Sequence, residues 1–277
     1  MSSAINTSAT ALGRSASAGS YATAVGQSAS ASGNYATAVG RSASAGSYAT
    51  AVGQSASASG TVATAVGRSA SASGSSSIAV GYAASASDSA TAVGRSATAS
   101  ADYATALGNS ASASGDSSTA LGSYAKADRY GQHATSNGHF TTAGDARHVV
   151  DVLRITTTDA TGTELSADGA TSGYITIAAT RTMACTIRVA AHRTDVSGTA
   201  AAWAPIHAAI TRDATGNCRL LGTPTGTGTT TMCDAGATTW TVAVTADSTN
   251  NRLAITVTGE AAKTIRWVAT VEMAEVG

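Results

Sequence analysis

The residues able to do chemistry are sparse and poorly grouped. Asp88, Asp102 and Asp116 recur every 14 residues, whereas a polysaccharide-cleaving site needs two carboxyl groups several ångströms apart in a groove, one of them kept protonated. Evenly spaced acids among Ser and Gly read instead as solubilising turn residues. The other acids, among them Asp151, Asp168, Asp213 and Asp247, mostly punctuate loops. His133, His139 and His148 lie close in sequence, and a histidine near a three-fold axis appears three times. No metal is expected, and His133 and His139 come nearest to candidates. Cys185, Cys218 and Cys233 lack metal or redox spacing and read as reduced, buried thiols. Without a nucleophile elbow, a phosphate loop or a metal-ligand spacing, neither an enzyme nor a cofactor is expected. Among the aromatics, Trp240 and Trp267 alternate with Val and Ile and read as core. Tyr174 and Trp203, the latter beside Pro205, are the receptor-binding candidates, with rings suited to stacking on sugars.

The elements that must carry these residues are of two kinds. From Ser8 to Gly122 one phrase recurs nine times around a small-aliphatic-Gly triplet, from Ala11-Leu12-Gly13 to Ala120-Leu121-Gly122, at steps of 13 or 14 residues. A fixed period this short predicts stacked coils. In the unit from Ser20 to Gly33, side chains of a strand alternate, so Tyr21, Thr23 and Val25 share one face and Ala22 and Ala24 the other. A glycine turn follows, then a second alternating segment, Ser28-Ala29-Ser30-Ala31-Ser32. Ile78 interrupts a column of Thr three residues before each triplet glycine, which places that column inward beside Val.

An interior of one Val, one Thr and two Ala per coil is thin. At about 25 cal/mol per Å² of apolar burial it does not offset roughly 1 to 2 kcal/mol of backbone entropy per residue. The alanine face is small enough for another chain to approach closely. Three rolls are therefore expected to share a core, with Ala24, Ala38, Ala51 and Ala65 among the trimer-packing residues.

The phrase Tyr-Ala-Thr-Ala-Val-Gly-Gln-Ser-Ala-Ser-Ala-Ser-Gly over residues 21–33 resembles the head repeat of YadA-like trimeric autotransporter adhesins. The resemblance implies a left-handed parallel β-roll, three of which associate side by side. It covers about the first 120 residues. The chain departs from the family pattern in placing Thr where Val or Ile is usual.

After Gly122 the phrase decays, and residues 123–147 read as a capping coil and neck. From residue 148 to 277 longer alternating segments without a repeat, such as Val149–Ile155, Cys185–Ala190 and Thr264–Val271, predict an antiparallel β-sandwich or jelly roll. Residues 143–161 and 244–272 resemble the C-terminal module of bacteriophage tail-fibre proteins, which is similarly preceded by adhesin-like repeats. That resemblance implies a virion role and transfers no functional residue.

The expected fold class is thus all-β: a left-handed parallel β-roll trimer over 1–122, a cap and neck, and a β-sandwich over 148–277. Lys plus Arg equals Asp plus Glu at 16 each, so no basic footprint for nucleic acid is present. No apolar run is long enough for a membrane span. Met1–Asn6 has neither the basic start nor the apolar centre of a signal peptide. The expected function is that of a homotrimeric phage tail fibre, assembled in the host cytoplasm, held by a baseplate or other tail protein, and binding a host-surface glycan or protein. A bacterial trimeric surface adhesin is the alternative. A polysaccharide depolymerase and an ice-binding solenoid, suggested by the Thr column, stand further back.

Overall fold

The computed structural model describes residues 3–4, 8–170, 172–195, 198–229 and 232–277. The segment read above for a leader, Met1–Asn6, lies outside them except at residues 3 and 4. The chain divides into two compact units, Met1–Asp128 with Thr135–His139, and Arg129–Ala134 with Phe140–Gly277. Among the described residues the only helical turn is a short 3-10 segment, Ala235–Ala237, and the rest is strand, turn and loop.

The first unit is a parallel β-roll. One sheet stacks the Thr-Ala-Val strands from Thr10–Leu12 to Thr119–Gly122, one per coil, and the other stacks the Ser-Ala strands from Ser3–Ala4 to Lys126–Ala127. Registers are exact copies: Thr23 pairs with Thr37, Ala24 with Ala38 and Val25 with Val39. The alternating steps of 13 and 14 are absorbed in the turn after the Ser-Ala strand, so the sheets keep their register. The triplet glycines sit where only glycine fits. Gly26 has a φ of +133°, and a Cβ there would come within 2.5 Å of the Gly40 carbonyl oxygen in the next coil.

Which face looks inward is the reverse of the expectation. Ala22, Ala24, Ala29 and Ala31 are fully buried inside the roll of a single chain, while Thr23 and Val25 point outward and are half-buried. The reason is the cross-section. Two short strands closed by tight turns leave room between the sheets for methyl groups alone. Where the column that holds Ala22 and Ala36 carries serine instead, the hydroxyl is satisfied locally: Ser77 donates to the Gly74 carbonyl at 2.7 Å and Ser118 to that of Ala127 at 3.4 Å.

The second unit contains two antiparallel sheets. Its strands are labelled in chain order from Ala146. The larger sheet places β1 (Ala146–Thr157) beside β12 (Ile265–Val276), then β4 (Arg181–Arg193). Next to β4 lie β5 (Ala200–Ala202) and β6 (Ile206–Arg212), one run interrupted at Trp203–Pro205. The outer positions go to β7 (Cys218–Leu220) and β9 (Met232–Cys233). The interruption sits where Pro205 has no N–H for the ladder. The smaller sheet is β2 (Thr163–Glu164) and β3 (Ile175–Thr176) on β11 (Arg252–Thr258), then β10 (Thr241–Asp247) and β8 (Gly228–Thr229).

The inner face of the larger sheet has two characters. At one end Trp267 lies 5.5 Å from Trp203 and 5.7 Å from Trp240, ring centre to ring centre, with Leu153, Ile187 and Ile206 buried nearby in the same sheet. At the other end it is ionic. Arg147 grips Glu275 through two hydrogen bonds of 2.9 and 3.1 Å, and Arg181 joins the same carboxylate at 3.0 Å. Arg129 holds Asp151 through one oxygen, its Nε and a terminal N–H both donating to Oδ2 at 3.2 and 2.9 Å. Both pairs are nearly sealed from solvent, and each carboxylate meets a guanidinium, as burial of a charge demands.

Candidate functional site

Among the described residues the candidate reactive groups lie apart from one another. Asp88, Asp102 and Asp116 are exposed turn residues on successive coils. No three His, Cys, Asp or Glu among the described residues come together in a geometry for a metal. His133 points outward, and His139 is exposed with its ring 4.0 Å from that of Tyr124. Cys185 is not an activated thiol. Burial pushes it up to about 12, helped by Glu275 and Asp151 and opposed by Arg129, so it stays protonated at neutral pH. Asp213 and Asp247 are held down at about 2. For Asp213 the causes are hydrogen bonds from Thr215 and Asn217, and for Asp247 those from Asn250 and Arg252. Each caps its own loop and is spent there.

The two receptor-binding candidates fare differently. Trp203 is only 4% exposed, its ring tilted against that of Trp267, and its indole N–H donates to the Gly228 carbonyl at 3.1 Å. It is core and is withdrawn as a contact residue, because its N–H still bonds the Val189 carbonyl and it follows Ala201 on the buried side of the strand. Tyr174 stays half-buried, with one face covered by the Arg252 guanidinium 4.0 Å from the ring centre. That arginine also pairs with Glu164 and Asp247, so a ligand stacking on this ring face has to displace a group held on two sides.

Ala24, Ala38, Ala51 and Ala65 are also corrected. All four are fully buried within their own roll and cannot touch another chain. The surface left for a partner is the outward face of the same strands, a Thr column beside a Val or Leu column. Most of its members are half-buried, and Leu12 reaches 66% exposure and Leu121 50%.

A second feature of the roll went unread in the sequence. Tyr21, Tyr35 and Tyr48 occupy the turn before the Thr-Ala-Val strand in three consecutive coils, all with positive φ near 56°. Their rings stack at 5.0 and 5.3 Å, within 16° of parallel. A bulky side chain at left-handed φ costs energy that a glycine would not, and offset stacking returns about 0.5 to 1.5 kcal/mol per pair. The signal was available: tyrosine recurs in one column of the repeat at Tyr21, Tyr35 and Tyr48, spaced by one coil each.

Comparison with known proteins agrees with the roll. Segments covering residues 18–139 match the YadA head domain repeat (two copies), in seven overlapping stretches from 18–43 to 113–139. No curated protein matches the chain. The first unit is therefore built of YadA-like head repeats, of the kind that fits an adhesin-like surface fibre.

Proposed function

We propose that the chain is a homotrimeric, non-catalytic receptor-binding fibre of a bacteriophage tail, in which the roll serves as a stiff spacer and the second unit as a binding module. The observation that carries the trimer is the outward Thr–Val face. A single chain leaves nine coils of β-branched and leucine side chains half in water, while its own interior is already filled by alanine. Contiguous apolar surface of this length marks a contact site, and three such rolls facing one axis remove it from solvent. The resemblance of residues 143–161 and 244–272 to tail-fibre modules favours the virion. Many weak contacts repeated three-fold supply avidity without one tight site.

A bacterial trimeric surface adhesin is supported equally by the match of residues 18–139 to the YadA head repeat. Light scattering of the purified chain tests the shared part: a mass of three chains is expected, and a monomer at micromolar concentration overturns it. The genes on either side separate the two readings. Tail and baseplate genes are expected, and export or outer-membrane anchoring genes in the same frame reverse the choice.

A further inference from the structure

The outer faces of the two sheets in the second unit differ in kind. On the smaller sheet the outward positions of β10 and β11 are mostly threonines, Thr241, Thr245, Thr256 and Thr258, beside the Glu164–Arg252–Asp247 ion pairs. That face is made for water. On the larger sheet one row across five strands reads Arg154, Val268, Ala190, Ala202 and Met232. A parallel row reads His148, Ala274, Ala184 and Ala209, with Leu221 hydrogen-bonded beside it. Val152, Val268 and Met232 are each about half exposed, at 51%, 47% and 51%. Part of the charge on the face is paired, while Arg266 and His192 stand exposed at one end of it. Glu272 takes both His148 and Arg188, and Arg154 donates to the carbonyls of Ala167 and Asp168.

We propose that this face is a homotypic interface: the larger sheets of the second units pack against one another around the axis of the oligomer. The inference rests on the trimeric reading above and adds where the second unit makes its contact. Three arguments commit the face to copies of this chain. Around the central Glu272–Arg188 pair its side chains are mainly Ala, Val and Thr, short enough for sheets to approach at the ~10 Å of face-to-face packing. Four strands of up to about 12 residues present roughly 750 Å², close to the ~800 Å² per partner that a stable interface buries. Finally, the chain passes between the roll unit and the second unit at Asp128–Arg129, Ala134–Thr135 and His139–Phe140 with no residue left over as a linker. Trimeric rolls therefore hold the second units at the high effective concentration of a short tether.

The test uses the full chain with one added thiol, Ala190→Cys in the row from Arg154 to Met232 on the larger sheet's outer face or Thr245→Cys on the polar sheet. Each is labelled with a bulky water-soluble maleimide, with the parent chain as blank for its own cysteines, and mass is followed by light scattering. In the oligomer the Ala190→Cys chain is expected to label at least about tenfold more slowly than the Thr245→Cys chain. Adding Val152→Lys and Val268→Lys, both at exposed positions of the single chain, brings the rates together. Equal rates in an oligomer overturn this inference and leave the trimer standing, and so does protection that survives the two lysines. A monomeric mass overturns the trimer and this inference together. Fast labelling that slows only when host-surface material is added assigns the face to a receptor, and also overturns it.

Discussion

The two units solve the same problem, burying enough surface in an all-β chain, in opposite ways. The roll repeats one small solution: four alanine methyls in most coils, identical registers and, among the described residues, no interior side chain larger than serine. The second unit uses one irregular core with three tryptophans at one end of its larger sheet and sealed arginine–carboxylate clusters at the other. Repetition distributes stability evenly and makes no site unique, so the roll presents columns. Irregularity concentrates stability in a few residues, and only there does each strand differ enough to build a distinct surface.

The largest break in that contrast is expected from Trp267→Ala, which removes the ring that touches both other tryptophans. About 3 to 5 kcal/mol is lost, and calorimetry is expected to show the second unit's transition falling while that of the roll stays in place. Transitions that move together end the picture of separate stabilities. Next comes Arg147→Met, which leaves Glu275 with Arg181 as its remaining arginine partner. Breaking a buried pair from one side costs about 3 kcal/mol or more, and urea titration reads the loss.

In the roll, Ala51→Leu and Val52→Leu sharpen the inward and outward assignment. The first overfills a methyl-sized space and costs about 1 to 3 kcal/mol, whereas the second points outward and stays within about 0.5 kcal/mol in a single chain. Equal effects contradict the assignment. Smaller still is Tyr48→Gly, where the one stacked pair lost, about 0.5 to 1.5 kcal/mol, is set against roughly 1 kcal/mol of relief at a left-handed φ, so the melting point is expected to move little.

Acid gives the mildest effect. Asp213 and Asp247 are held at about 2, below their unfolded value near 4. Their contribution is therefore complete above that unfolded value and fades as pH falls toward 2, leaving stability from these two loops flat between pH 5 and 8. A steep loss within that range in a pH series of melts counts against these caps.

Much of the fold was legible from residues alone. Nine triplets at steps of 13 and 14 require stacked coils, because only a solenoid returns the chain to the same place at so short a period. The alternating segments after residue 148 require antiparallel strands. Less of the candidate site was legible. Strand alternation divides Ala24 from Val25 without saying which side is inside, and the larger residue was assigned to the core by the usual preference. Trp203 looked accessible beside a proline, yet it still pairs with Val189 and shares the buried side of its strand with Ala201. In Val149-Val150-Asp151-Val152-Leu153, apolar residues occupy both alternation sets, the mark of a strand covered on both faces, and that signal points to the outer face of the larger sheet.

Period, composition and alternation are local properties, and they suffice to establish coils, strands and the absence of clustered reactive groups along the chain. The side each residue faces is decided by the distance between elements. Two short strands joined by tight turns come so close that methyl groups alone fit between them, sending Thr and Val outward. In the second unit, two broader sheets stand far enough apart to admit three indoles and leave one alanine-rich face exposed. No window of sequence contains that spacing, because it arises only when segments distant in the chain are brought together.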